Sequence, residues 1–219
     1  MTRNYYQEFL TITKKIDTKS KPKLLLHVCC APCSSHCLSV LEPYFDITVF
    51  YYNPNISPFE EYERRLNEEK KYLSLVHPNI KIVDADYDSE KFDELSRGLE
   101  NLQEGGERCH KCYRLRLQKT GEYAKQNGFD YFTTTLTVSP YKQSATLNEI
   151  GEEVSNSVGV KYLFSDFKKE DGYRHSIELS KKYNLYRQDY CGCKFSKNLR
   201  DEYKLLKQKI DAERSNKQD

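Results

Sequence analysis

The stretch Leu24-Leu25-Leu26-His27-Val28-Cys29-Cys30-Ala31-Pro32-Cys33 leads from an apolar segment directly into three thiols. Its apolar half has the length and composition of a strand that is buried on both faces of a parallel sheet. Ligands of open α/β sheets bind beyond the carboxyl ends of the strands, which is where Cys29 and Cys30 fall. Because neighbouring side chains of a strand point to opposite faces, both thiols can serve one centre only if the strand ends near Val28.

Patterns in the rest of the chain alternate between strands and helices. Strands are predicted over residues 46–52, 79–83, 130–135 and 160–164. Helices are predicted over residues 34–41, 58–76, 89–96, 109–126, 145–156 and 173–183, with Ser57 as the N-cap of the second. Strict alternation of this kind predicts an α/β fold, a parallel sheet with helices on both faces.

The two ends of the chain fall outside this alternation. Residues 5–16 have helical spacing and precede a polar linker, so residues 1–22 are interpreted as an N-terminal helical extension. Residues 23–212 then form a single α/β domain that carries the thiols, and residues 213–219 form a polar tail.

The last predicted helix of the domain is basic and amphipathic. Its cations are Lys197, Arg200, Lys204 and Lys207, and its apolar stripe is Phe195, Leu199, Tyr203, Leu206 and Ile210. A docked helix of this kind can present its cations to phosphates, but a solvated face explains the same pattern.

Composition describes a polar protein, with 37% hydrophobic and 31% charged residues and a net charge of +2. No segment approaches the length of a membrane span, and the N-terminus lacks the apolar core of a signal peptide. We therefore expect a cytoplasmic protein with no membrane partner. In that reducing compartment, clustered cysteines are more often metal ligands or redox catalysts than structural disulfides.

Cys109 and Cys112 have the C-x-x-C spacing that lets two thiols at a helix start bind one metal. Together with Cys29 and Cys30 they supply four thiolates, the usual ligand set of an iron-sulfur cluster or of a structural zinc.

Cys191 and Cys193 form a separate, tighter pair around Gly192. A strained disulfide between them would be of the labile, catalytic kind. The pair can instead bind a second metal, with Cys33 or Asp189 completing the ligands.

Five segments, in this order along the chain, resemble the epoxyqueuosine reductases of the QueH family. The segments are 25–33, 50–56, 107–114, 133–142 and 186–194, which read LLHVCCAPC, FYYNPNI, ERCHKCYR, TTTLTVSPYK and YRQDYCGCK. The resemblance extends over residues 23–200 and implies a fold related to the HUP and ATP-pyrophosphatase nucleotide-binding folds. It also implies an oxidoreductase that reduces epoxyqueuosine to queuosine at the tRNA wobble position, without cobalamin, in the last step of queuosine biosynthesis.

The resemblance further implies a [4Fe-4S] cluster and assigns residues to it. The cluster ligands would be Cys29, Cys30, Cys109 and Cys112. Cys191 and Cys193 would be the redox-active pair or, with Cys33, ligands of an additional iron. Some family members carry an aspartate at the position of Cys33.

The implied reaction needs two protons and two electrons, the latter from a donor that the sequence does not identify. His27, Asp189 and Tyr190 adjoin the thiols and are candidate proton donors, although His27 is more simply a hydrogen-bonded strand residue. The implied partner is the tRNA anticodon loop bearing epoxyqueuosine. Tyr51, Tyr52 and Tyr141 are candidate stacking residues, Lys142 is a candidate phosphate ligand, and weaker candidates are Arg64, Arg65, Arg114 and Arg116.

Three other classes fit parts of the sequence. An ATP-dependent tRNA-modifying enzyme fits the fold, but the chain has neither a pyrophosphate loop nor a Walker A motif. A zinc-stabilised RNA-binding module does not need Cys191 and Cys193. A plain thiol-disulfide oxidoreductase uses that pair but leaves the other four thiols without a role.

Overall fold

A five-stranded parallel sheet forms the centre of the molecule. The structure is a computed structural model that describes residues 3–215. The strands are β1 (Lys23–His27), β2 (Asp46–Tyr51), β3 (Lys81–Asp84), β4 (Tyr131–Thr134) and β5 (Lys161–Tyr162). Their order across the sheet is β3-β2-β1-β4-β5, with every neighbouring pair parallel. The predicted α/β class is confirmed.

Helices cover both faces of this sheet. They are α1 (Tyr5–Thr13), α2 (Ala31–Leu41), α3 (Phe59–Val76), α4 (Ser89–Ser96), α5 (Glu107–Gln126), α6 (Ser144–Val158), α7 (Gly172–Lys182) and α8 (Lys194–Ser215), with a 3-10 turn at Thr135–Val138. Among the described residues, no helix has both the length and the apolar character needed to cross a membrane.

The central strand β1 explains why the sheet is covered on both sides. Its leucines are fully buried, and alternate ones point to opposite faces. Leu24 and Leu26 pack in one core with apolar residues of α1, α2 and α3, whereas Leu25 packs in a second core with residues of α5 and α6. Because the strands are parallel, their carboxyl ends meet at one edge, where β1 delivers Cys29 and Cys30.

Several helices begin one to three residues earlier or later than predicted, and two of these differences affect the site. Helix α2 begins at Ala31 rather than at residue 34, since Pro32 needs no hydrogen-bond acceptor in a first helical turn. Cys33 therefore belongs to the helix. In α3 the N-cap position is Pro58 rather than Ser57, whose N–H donates instead to the carbonyl of Gly192 at 2.9 Å.

Both ends of the described chain are helical. Helix α1 packs on the domain, because Phe9 lies in the same core as β1 and meets Phe167 edge to face at 5.7 Å. Helix α8 continues to Ser215, past the predicted boundary at 212, and residues 216–219 lie outside the described part.

The apolar stripe of α8 is docked only at Phe195, which packs against Phe92. Leu199, Tyr203, Leu206 and Ile210 are between 41% and 67% exposed. Cations of the basic stripe instead form ion pairs: Lys197 with Asp201, and Arg200 with both Asp189 and Asp201. The neighbouring acids therefore offset much of the positive charge of the stripe.

Candidate functional site

Three thiols converge where β1 passes into α2. The strand ends at His27 and Cys30 occupies the N-cap of α2, so the chain turns within two residues. The Sγ atoms of Cys29 and Cys30 are 3.7 Å apart, and those of Cys30 and Cys33 are 2.8 Å apart. All three sulfurs lie within 4.8 Å of one another, a spacing that allows them to bind one metal.

The pKa values of these three thiols shift in different directions. Hydrogen bonds from Cys30 and Cys33 hold the pKa of Cys29 well below its usual value. Burial raises the pKa of Cys30, and the bonds to Cys29 and Cys30, followed by burial, raise that of Cys33. Cys29 is therefore the most readily ionised thiol of the three. A bound cation would favour ionisation of the other two.

The C-x-x-C pair lies at the start of α5, as predicted. Cys109 belongs to the same buried cluster as Cys29 and Cys30, and Cys112 packs in an adjoining cluster with Phe92 and Cys193. The backbone N–H of Gly105 donates to Cys109 Sγ at 3.2 Å. Within residues 3–215, only the group that includes Cys33 meets the spacing for one metal ion. An iron-sulfur cluster places its thiolate ligands farther apart than a single ion does.

The Cys191-Gly192-Cys193 loop is held by polar contacts, and both of its thiols are free. The guanidinium of Arg65 donates to the carbonyl of Cys191 at 3.1 Å, and Gly192 accepts the N–H of Ser57. Gly192 has a φ of +133°, which side chains with a Cβ rarely adopt. Cys193 is buried, and burial raises its pKa to about 12, whereas Cys191 is partly exposed.

A cavity of about 810 Å³ opens beside these thiols. Its walls include Cys29, Cys33 and Cys191, but not Cys193. Cationic and aromatic side chains dominate the rest: Arg116, Lys142, Arg187, Arg200, Tyr141, Tyr173, Tyr190 and Tyr203. Tyr141 is 78% exposed and Tyr203 67% exposed, and they come from different segments. Volume and lining both suit a nucleotide.

None of the three candidate proton donors presents a free proton to this cavity. His27 is fully buried, with Nδ1 2.9 Å from Thr134 Oγ1 and Nε2 3.1 Å from the carbonyl of Tyr52, and burial lowers its pKa to about 4. Asp189 pairs with Lys204 and Arg200, and the hydrogen bond from Lys204 lowers its pKa. The Tyr190 hydroxyl donates to the carbonyl of Ser57 at 3.0 Å.

The other candidate substrate-binding residues divide into two groups. Tyr141, Lys142 and Arg116 line the cavity. The remaining ones are occupied elsewhere: Tyr51 and Tyr52 are buried, Arg64 stacks on Tyr186, Arg65 holds the Cys191 loop, and Arg114 pairs with Glu153.

Sequence reasoning overlooked Gln188. Its Nε2 donates to Cys30 Sγ at 3.0 Å, and the side chain lines the cavity. The signal was its place beside Asp189 in the segment that carries the resemblance.

The fold and the site define an α/β protein of the class that binds a metal or iron-sulfur centre beside a nucleotide-sized cavity. The family model described as epoxyqueuosine reductase QueH matches residues 24–199. The chain therefore belongs to the epoxyqueuosine reductase QueH family, and it is an oxidoreductase.

Individual relatives agree with this assignment. The epoxyqueuosine reductase QueH of Streptococcus pyogenes serotype M1 is 41% identical over 214 residues, which cover 95% of this chain and 84% of the relative. That of Thermotoga maritima is 36% identical over 176 residues, covering 79% and 89%. The U34-tRNA thiolase NcsA from Methanococcus maripaludis, solved with its [4Fe-4S] cluster, has a TM-score of 0.52 at 14% identity, covering 93% of this chain and 73% of that one. This last likeness concerns the fold.

Proposed function

We propose that this chain reduces epoxyqueuosine to queuosine in tRNA at an iron-sulfur centre bound beside the cavity. One observation carries the proposal: Cys29, Cys33 and Cys191 border a nucleotide-sized cavity lined by cations and aromatic rings, and the third group of cysteines packs behind them, with Cys109 beside Cys29 and Cys112 beside Cys193. The zinc-stabilised RNA-binding module and the thiol-disulfide oxidoreductase are less favoured, because neither uses all three groups.

The donor set fits an iron-sulfur centre. Cys29, Cys30, Cys109 and Cys112 would hold a [4Fe-4S] cluster, which supplies electrons when bound. N–H groups already point to the sulfurs, from Gly105 to Cys109 and from Gln188 to Cys30. Such donors orient and stabilise thiolate ligands.

Cys191 and Cys193 are assigned either as a redox-active dithiol or as ligands of an additional iron. Cys191 and Cys33 border the same cavity, which supports a shared metal. The presence of one partly exposed and one buried thiol on either side of Gly192 supports a dithiol that is attacked through Cys191.

Positioning of the substrate falls to the other lining residues. Asp189 is ionised, so it holds Arg200 and Lys204 at the cavity rather than supplying a proton. Lys142, partly exposed on the wall, is placed to offset negative charge on the departing oxygen. The two electrons come from a donor outside this chain, and the tRNA would present its wobble base out of the anticodon stack. We place this reaction in the cytoplasm.

The cofactor assignment is tested on protein purified without oxygen. The ultraviolet-visible spectrum and the iron, sulfide and zinc contents are measured for the wild type, Cys29→Ala and Cys191→Ala. Cys37→Ala is the control, because Cys37 lies on α2 but is buried in the core. We expect about four irons and four sulfides in the wild type, lost in Cys29→Ala and largely kept in Cys191→Ala and Cys37→Ala.

The same samples are then incubated with epoxyqueuosine tRNA and a chemical reductant. We expect queuosine from the wild type and Cys37→Ala only. Colourless wild-type protein with a single zinc would contradict the reductase and support the RNA-binding module.

A further inference from the structure

Three arginines are almost completely buried in this molecule, and two of them donate to the backbone of loops. Arg65 is 1% exposed and pairs with Glu61 at 2.6 Å while also donating to the Cys191 loop. Arg108 is 2% exposed and one of its nitrogens is shared by three loop carbonyls, those of Leu99, Glu100 and Leu102. Both arginines thus stabilise loops of the fold.

Arg116 is different. It is 1% exposed, and its one hydrogen bond runs from Nε to the carbonyl of Cys112 at 3.3 Å. Its Nη2 has no partner, and no acidic side chain among residues 3–215 forms an ion pair with it. Burying an unpaired guanidinium carries a large desolvation cost. An anion bound near this side chain would offset that cost.

The position of Arg116 identifies the anion. The residue follows Cys112 by one helical turn on α5 and lines the cavity together with Cys29 and Cys191. Within the described residues, the ionisable groups that act most on its charge are the thiols of Cys112, Cys191 and Cys29 and the hydroxyl of Tyr113. A thiolate-bound iron-sulfur centre carries net negative charge, which grows by one unit when the centre accepts an electron.

We propose that Arg116 is a positioning residue that supplies the counter-charge of the iron-sulfur centre and raises its reduction potential. Buried charges interact strongly because little water screens them. Net charge and hydrogen bonds to the sulfurs are levers that set cluster potentials. The inference rests on the proposed cofactor of this chain and assigns one of its residues to that group.

The test is a redox titration of the protein with its iron-sulfur centre bound. The spectroscopic signal of the reduced centre monitors the titration. The neutral variants are Arg116→Gln and Arg116→Met, the second because an apolar side chain of similar volume can replace an unpaired buried charge at little cost to folding. The ratio of reduced to oxidised centre is compared at a solution potential equal to the wild-type midpoint potential. We expect this ratio to be at least tenfold lower in both neutral variants, which corresponds to a midpoint potential lower by 59 mV for one electron.

Two variants serve as controls. Arg116→Lys keeps the charge, so its ratio of reduced to oxidised centre should stay within threefold of the wild-type ratio. Arg114→Gln removes the same charge from an exposed position on the same helix and should also stay within threefold.

Three outcomes would overturn the inference. The first is a loaded neutral variant with a wild-type ratio. The second is a ratio that falls as far in Arg114→Gln as in the neutral Arg116 variants, which would attribute the effect to the net charge of the protein. The third is loss of the centre from both neutral variants but not from Arg116→Lys, which would make Arg116 an assembly residue. Wild-type protein that binds no iron-sulfur centre would instead overturn the proposed function itself.

Discussion

At the scale of single residues, Glu69 shows how the fold controls charge near the thiols. This carboxyl on α3 is fully buried, and burial raises its pKa to about 8. Its Oε2 lies 2.7 Å from the hydroxyl of Ser34, which also donates to the carbonyl of Ala31 at 3.1 Å. A protonated Glu69 completes this chain of hydrogen bonds by donating to Ser34. The side chain therefore adds no negative charge beside the α2 turn at neutral pH.

The raised pKa of Glu69 predicts how stability depends on pH. The unfolded carboxyl ionises near 4.5 and the folded one near 8, so between these values the folded state binds more protons. The contribution of Glu69 is thus fully present below pH 4.5 and is lost as pH rises to 8, at up to about 1.4 kcal/mol per pH unit. Glu69→Gln cannot ionise and should lose this slope.

Urea unfolding of wild type and Glu69→Gln at several pH values between 4.5 and 9 measures the effect. We expect the difference in free energy of unfolding to move in favour of the variant as pH rises through the window. Glu68→Gln, a neighbour on α3 that is more exposed, is the control. Parallel pH profiles for wild type and Glu69→Gln would show that Glu69 is ionised when buried.

At the scale of elements, the Cys191-Gly192-Cys193 loop depends on contacts from distant segments. Ser57 precedes α3 and Arg65 lies within it, and both bind loop backbone. A Cβ at position 192 would lie 3.0 Å from Ile56 Cγ1 and 3.1 Å from Arg65 Nη1. Glycine therefore fits this position for two reasons, its positive φ and the close approach of α3.

Gly192→Ala should displace the loop. Strain at this φ and the two close contacts predict a loss of about 1 to 3 kcal/mol of stability and a larger loss of reductase activity. Gly98→Ala is a matched control, since Gly98 also has a positive φ, of +75°, but no atom lies within 4 Å of its Cβ position. The two variants are compared by urea unfolding and by single-turnover rates. If Gly192→Ala loses no more activity than Gly98→Ala, the reaction does not depend on the exact position of the loop.

The sequence predicted those elements whose signals are local. The apolar run of β1 and the C-x-x-C spacing at the start of α5 depend on neighbouring residues alone, and both predictions are confirmed. The start of α2 was placed too late because Pro32 was taken as part of a turn. That error concealed how Cys33 joins Cys29 and Cys30, since only a helix beginning at Ala31 turns its thiol toward theirs.

Features that depend on contacts between distant segments could not be predicted from the sequence. Asp189 is ion-paired by Arg200 and Lys204, which approach it only because α8 folds back beside its own connecting loop. For the α8 apolar stripe the sequence left docking and a solvated face open, because a helical pattern shows which face is apolar but not whether a partner covers it. In the structure most of the stripe is exposed.

At the scale of the whole molecule, the cavity combines walls from distant parts of the chain, including α7 and residues 187–191. The β1-α2 turn supplies thiols, α5 supplies Arg116, the segment after the 3-10 turn supplies Tyr141 and Lys142, and α8 supplies Tyr203. Tyr141 and Tyr203 are strongly exposed although they border the cavity. Exposed rings at the mouth of a nucleotide-sized cavity are suited to stack on the bases beside a flipped nucleotide.

This arrangement predicts that Tyr203→Ala weakens binding of an anticodon stem-loop about 5- to 150-fold, the range expected for loss of one base-stacking contact. The measurement is fluorescence anisotropy with the loaded protein at several salt concentrations. The slope of log Kd against log salt should not change, because no phosphate contact is lost. Tyr203→Phe keeps the ring and should bind normally.

Leu206→Ala is the matched control for Tyr203→Ala. Leu206 is 57% exposed on the same helix but does not line the cavity, so its truncation should leave binding unchanged. If both truncations weaken binding equally, the RNA contacts the whole apolar face of α8 rather than the cavity mouth. If neither does, α8 presents only a solvated face to the substrate. A loss confined to Tyr203 would place a flanking base at the part of the cavity mouth that α8 forms.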